Sequence, residues 1–383
     1  MKISGIKVVV LMTLLSVFAS CNNMKKEDFK VWAWLSGSTT MSGEQLDHYF
    51  SEASRAGINA ILLECHGAKP EIIGDSASFR DDAAIVILEN AMIYAKKYNI
   101  ELHAWMWTTN RVELSLRKAH PEWYQVNAKG ESCAEINVYN REHYRFLCPT
   151  RPEVTEYLKE RVREIATVEG LAGIHMDFIR YPDAILPYGL HESRGVVQDK
   201  VYPQWDFCYC DECRAAFKAQ TGIDPLDIED PTSDEAWMQF RYDRMSEMAS
   251  EIAAEIKACG KVASAAVFAS PSESRKLVRQ DWANFRNLDY IFPMIYHKFY
   301  NAEDKWVETA TREGVKALRN ADNDAVLCSG LFVGHVPADK IEEFIGYTEK
   351  GGSEGVCFFS MEGMVKRTWF VDSLRSAVDK IRL

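Results

Sequence analysis

The stretch 171-LAGIHMDFIRYPD-183 begins as a buried strand and ends in ionisable groups. Leu171, Ala172, Gly173 and Ile174 are apolar or small. Side chains then alternate, Ile174 and Met176 on one face, His175 and Asp177 on the other, because successive strand residues point to opposite sides. Arg180, Tyr181 and Pro182 follow, and a proline cannot continue the ladder. A strand that is apolar until its last residues predicts a parallel sheet covered by helices, with a site above the strand's C-terminal end.

The same pattern runs outward in both directions. Further strands are expected over 30–37, 58–67, 100–109, 261–270, 288–298, 325–334 and 354–363. Helices are expected between them, at Ser42 to Arg55 with Gly57 as the stop, at 82–98, and from Pro152 to Val168. Another is expected from Ser233 to Cys259, a further one reaches Asn287, and each later strand has a helix after it. Eight strands alternating with eight helices predict the α/β class and one (β/α)8 TIM barrel over 30–383, not an open sheet with two domains. No Gly-rich phosphate fingerprint follows the first strand, which argues against dinucleotide binding. A long loop at about 181–232 carries a group of cysteines.

The chain opens with Lys2 and Lys7 and the apolar run 8-VVVLMTLLSVFAS-20, too short to span a bilayer comfortably. It ends in 18-FASC-21, which resembles a bacterial lipobox. Residues 1–20 are therefore expected to be a lipoprotein signal peptide, with Cys21 acylated and 21–29 a tether. The simpler alternative is a secretory signal followed by a chance cysteine. The lipid reading places the protein outside the cytoplasm, anchored to the outer membrane on its periplasmic or surface face; Asn22 is not the aspartate that argues for inner-membrane retention. Loss of two lysines takes the net charge from −11 to about −13. No basic block stands out, so a nucleic-acid partner is not expected. With 47% apolar residues the chain can bury a large core.

The strand ends gather Trp34 and Ser36, Glu64 and His66, His103, Trp105 and Trp107, His175, Asp177, Arg180 and Tyr181, Tyr296 and His297, and Glu362. Each alone could be a satisfied structural group. Together, aromatic rings and carboxylates suit a carbohydrate, whose rings have apolar faces and whose hydroxyls need polar partners. Glycosidic cleavage usually takes two carboxyl groups, one charged and one able to hold a proton. Asp177 is the expected first carboxylate, with Arg180 expected to lower its pKa and keep it ionised; the alternative is an Asp–Arg pair that only pins the loop. The expected partner is Glu362, between Met361 and Met364, or Glu64; Glu273 is a third candidate. His175, Arg180, Tyr181, Trp105, Trp107, His103, Tyr296 and His297 are the expected sugar contacts. No cofactor is expected for catalysis.

The segment 172-AGIHMDFIRYP-182 resembles the fourth-strand motif of the glycosyl hydrolase-like ten family. Supporting segments stand in the same order, 120-HPEWYQVNAKG-130, 147-LCPTRPEVTEYL-158, 280-QDWANF-285 and 289-DYIFPMIY-296. The resemblance implies a barrel acting on a carbohydrate, with Asp177 in the active site. Amylase-like barrels also place a nucleophilic aspartate on the fourth strand, which is analogy. The second strand departs from the expected longer polar motif and reads Glu64-Cys65-His66-Gly67.

Cys208, Cys210 and Cys213 lie in 207-FCYCDECRAAF-217, with Cys148 the candidate fourth member. Such spacing suits thiolate ligation of a structural zinc. The group resembles the zinc cluster of galactosidase-type barrels. Disulfides are the alternative in an exported chain, although cysteines this close form strained bridges. Cys65, Cys259, Cys328 and Cys357 lie in or beside apolar segments and read as buried thiols, while Cys133 has no clear role. Two rivals to the enzymatic reading remain: a surface glycan-binding lipoprotein on the same barrel, and a metal-dependent hydrolase using His66, His103, His175 and His297.

Overall fold

The computed structural model describes residues 29–36, 41–66 and 82–382. The expected signal peptide, Cys21 and the tether up to Asp28 lie outside these residues.

Eight strands form one closed parallel barrel in chain order. They are β1 (Lys30–Leu35), β2 (Ala60–His66), β3 (Glu101–Trp107), β4 (Gly173–Asp177), β5 (Val262–Phe268), β6 (Tyr290–Met294), β7 (Val326–Phe332) and β8 (Gly355–Phe359). β8 pairs with β1, Val31 opposite Val356, so no edge is left open. The strands are shorter than the apolar runs that foretold them. Pairing stops where side chains leave the ladder to line the barrel mouth.

Among the described residues there are twelve α-helices rather than eight. They are α1 (Gly43–Ala56), α2 (Asp82–Tyr98), α3 (Leu114–Ala119), α4 (Pro152–Ala166), α5 (His191–Arg194), α6 (Asp211–Thr221), α7 (Glu235–Ala258), α8 (Pro271–Val278), α9 (Trp306–Asn320), α10 (Ile341–Gly351), α11 (Met361–Val365) and α12 (Thr368–Arg382). α3, α5 and α6 are short insertions in the loops that follow β3 and β4. α8 stops at Val278, short of the expected Asn287. Local chemistry sets several ends. Ser42 and Gln45 form a reciprocal capping box at the start of α1, and Gly57 ends that helix at φ 78°. Pro152 takes the first position of α4.

The strand alternation divides the core into two layers. Val31, Ala33, Ile61, Leu63, Ala104, Ile174 and Met176 face the helices. Trp32, Trp34, Leu62, Trp105, Phe292, Cys328 and Cys357 fill the barrel itself. The interior is packed, and the open space lies above it. Gly173 shows how tight the lower layer is: a Cβ there would stand 2.6 Å from the Val262 carbonyl and 2.2 Å from His103 Nδ1.

Candidate active site

A cavity of about 440 Å³ opens over the C-terminal ends of the strands. Trp34, Glu64, Trp105, Trp107, Asp177, Phe268, Tyr296 and Phe359 form its floor and walls, and Arg141, His143, Tyr144, Arg180, Asp183 and Leu190 come from the loops. Glu64 follows Ala60 and Leu62 on the inward face of β2, and its register partner is Trp105. Trp107 in turn pairs with Asp177. The two carboxyl groups therefore flank β3 and its tryptophans.

Asp177 ends β4 and is 9% exposed. The Trp105 indole donates to its Oδ2 at 3.1 Å, and the Phe178 amide donates to Oδ1 at 2.6 Å. Burial pushes its pKa up to about 6, against the downward pull of the Phe178 amide, Arg180 and Trp105. Arg180 does pull this pKa down, as expected, but burial outweighs it, so the net shift is upward and the expected ionised state is not favoured. The cause lies in the turn. Phe178 adopts φ 51°, and Thr109 Oγ1 donates to the carbonyls of Phe178 and, at 2.9 Å, Arg180. The chain is redirected, and Arg180 Nη1 meets Asp183 Oδ2 at 3.2 Å and the Tyr181 carbonyl at 2.9 Å. Its guanidinium also sits 5.0 Å from the ring centres of both Phe178 and Phe268.

Trp105, Trp107, Tyr296, Arg180, Glu64 and Asp177 thus line the cavity as expected from their places in the sequence. The other expected contacts do not. His175 is fully buried beneath it, where Trp34 Nε1 donates to its Nε2 at 3.0 Å and its Nδ1 meets Ser264 Oγ at 2.9 Å. Nε2 accepts, so the ring proton sits on Nδ1. Burial, with His103 nearby, holds this imidazole well below its ordinary pKa. His103 is only the third residue of β3, so it lies near the barrel bottom, edge-on to Trp32 at 4.9 Å. Tyr181 points the other way, and its hydroxyl donates to the Arg241 carbonyl at 3.2 Å. His297 is buried behind the wall, its Nε2 3.3 Å from Asp304 Oδ1.

Glu362 is also absent from the cavity lining. It stands in the first turn of α11, near Ser360 and the Ser36 backbone, which pull its pKa down. Burial does raise its pKa, as its methionine neighbours suggested, but the group lies near Tyr49 of α1. Glu273 accepts from Tyr188 at 3.3 Å and lies outside the lining as well. The loop residues Arg141, His143 and Tyr144 were missed by sequence reasoning, because the loop after β3 carries no periodic signal. Among the described residues, the one group of three or more side chains placed to hold a metal is the four cysteines, so the four histidines do not form such a set.

The fold is shared with solved glycosidase structures at low identity. The catalytic domain of β-amylase from Paenibacillus polymyxa superposes with a TM-score of 0.63 at 11% identity, covering 93% of this chain and 99% of that one. A β-galactosidase from the psychrophilic Marinomonas ef1 gives 0.60 at 11% identity, over 87% of this chain and 54% of that one. An endo-β-1,4-mannanase from Thermotoga petrophila gives 0.53 at 11% identity, over 93% and 77%. No curated protein matches the sequence. The sequence profile described as glycosyl hydrolase-like 10 matches residues 75–343, most of the barrel, and the chain belongs to that family.

Proposed function

We propose that the cavity is the active site of a glycoside hydrolase acting on an oligosaccharide or polysaccharide. The observation that carries this reading is a pair of carboxyl groups, Asp177 and Glu64, in one cavity walled by Trp34, Trp105, Trp107, Tyr296 and Phe359. Strands lie ~4.8 Å apart, so β2 and β4 are separated by roughly 10 Å at the backbone, which is on the scale of the roughly 5–10 Å between hydrolytic carboxyl pairs. Family membership and the glycosidases that share the fold support the same class of substrate.

A carboxyl group with a pKa of about 6 is suited to hold and give a proton. Asp177 donates it to the departing glycosidic oxygen as the bond to the anomeric carbon breaks. Glu64, across Trp105, faces the positive charge that develops on the sugar. Water adds its hydroxyl at the anomeric carbon, and its remaining proton restores the carboxyl pair. Trp107 Nε1, buried with no hydrogen-bond partner among the described residues, is a donor for a sugar hydroxyl. The rings present faces on which pyranoses stack.

The test is release of new reducing ends from a panel of glycans by the purified chain. Tight binding without any release would favour the rival reading of a glycan-binding barrel, to which the aromatic wall is equally suited. A finer check concerns Trp105. Trp105→Phe keeps an aromatic ring, though a smaller one, but removes the donor to Asp177 Oδ2. The apparent pKa near 6 in the pH–rate profile is then expected to rise, by up to about one unit. An unmoved profile would separate that limb from Asp177.

We also propose that Cys21 carries a lipid and holds the barrel to the outer membrane. Metabolic labelling with a radioactive fatty acid is expected to mark the wild-type chain but not Cys21→Ala, which should leave the membrane fraction. Equal labelling of both would overturn the anchor.

A further inference from the structure

We infer that Cys148, Cys208, Cys210 and Cys213 bind one structural zinc ion that ties together the two loops carrying the cavity wall. All four are buried, and their sulfurs lie within 4.8 Å of one another. Cys148 Sγ is 3.5 Å from Cys210 Sγ and 3.4 Å from Cys213 Sγ. A tetrahedral zinc with bonds of about 2.3 Å sets its sulfurs about 3.8 Å apart, so this arrangement is close to a ligand tetrahedron. A disulfide instead brings two sulfurs to about 2.05 Å. Cys148 also has two sulfurs at nearly equal distance, which suits a shared centre better than exclusive pairing.

The surroundings supply polar contacts to the sulfurs. The Val126 amide points at Cys208 Sγ at 3.5 Å, and Thr150 Oγ1 lies 3.2 Å from Cys213 Sγ. Such contacts orient and stabilise metal-bound sulfur. Cys210 is the N-cap of α6, at the positive end of the helix, which lowers the cost of a thiolate there. Four sulfur ligands leave no open position for a substrate, so the ion is structural.

Its placement gives it a role. Cys148 comes at the end of the loop after β3, the loop that brings Arg141, His143 and Tyr144 to the cavity. The other three come from the loop after β4, which brings Arg180, Asp183 and Leu190. Tyr181, next to Arg180, is buried beside Cys148, Cys208 and Cys213. Two segments that are distant in sequence are therefore clamped at their roots, and the cavity wall is built above the clamp.

Elemental analysis of the full mature chain, purified without chelator, is expected to find about one zinc per chain. After denaturation with chelator and no reductant, all nine cysteines of the described residues should titrate as thiols. A chain without metal overturns the proposal, whether its thiol count is four short of nine, as two disulfides require, or complete. Cys210→Ser is expected to reduce bound zinc to about a tenth or less and to lower the thermal midpoint. Should that variant fail to fold, stepwise titration of the wild-type thiols with an organomercurial gives the same answer. Zinc release in step with four thiols supports the cluster, and retention of zinc after those four have reacted overturns it.

Discussion

Asp177→Asn is expected to lower kcat/KM on the cleaved glycan by roughly 10³-fold, the scale of losing a positioned proton donor. The amide has nearly the same shape but no proton to give. It also replaces one of two accepting oxygens by an NH2 group, which then faces a donor, either the Phe178 amide or Trp105. Affinity for the intact glycan should change far less, because the ring faces that hold it are untouched. Glu64→Gln is expected to show a comparable loss. The pH profiles add a second readout. If Asp177 acts in its protonated form, activity falls as the pH rises through about 6. The same group links pH to stability. Its folded pKa is raised, so the stability it contributes is full below its ordinary value near 3.8 and is lost as the pH rises through about 6. Asp177→Asn removes that slope. Full activity in the variant would end the assignment of Asp177 as proton donor.

Asp206→Ala is expected to destabilise the fold by about 3–5 kcal/mol. Asp206 is fully buried, with Arg241 Nη1 at 2.7 Å, Arg279 Nη2 at 3.3 Å and the Tyr209 hydroxyl at 2.5 Å. Burial alone would raise its pKa, but Arg241 and Arg279 outweigh that and hold it below the usual carboxylate range. Removing the carboxylate strands two buried guanidinium groups. A lowered folded pKa contributes stability that is present above the unfolded value and lost as the pH falls through the folded one, so the wild type should lose this support only in acid. Denaturant titration at neutral pH measures the effect. Asp372→Ala, which removes an exposed partner of Arg55, is the control and should leave the denaturation midpoint almost unchanged. Equal costs at the two positions would show that the buried cluster contributes little.

The fold was legible because barrel strands are apolar on both faces and helices alternate with them without a break. Eight such units leave few other topologies. Much of the site was legible for a related reason: Glu64, Trp105 and Asp177 lie on the inward face within the last three residues of their strands. Two of the misreadings come from depth. His103 and His175 have the right parity but sit one step too low, and parity alone does not say how high a side chain stands in a barrel. Tyr181 and Arg180 illustrate the turn problem. A single residue at positive φ, Phe178, decides which way each following side chain points, and nothing in a phenylalanine announces it. The cysteines were grouped correctly because close spacing in the loop survives folding, and Cys148 arrives there through the antiparallel bridge between Tyr124 and Leu147.

The neutral imidazole beneath Asp177 has a consequence for where protons can travel. His175 has committed its ring proton to Ser264 and its lone pair to Trp34. The two protein contacts of the Asp177 carboxyl are donors, an amide and an indole, that do not ionise. Neither His175 nor these two donors therefore offers a relay by which Asp177 could gain or lose a proton. Exchange with bulk water runs through the cavity mouth. A sugar that fills the mouth closes that route, and the protonation state present at the moment of binding becomes the one that enters the reaction.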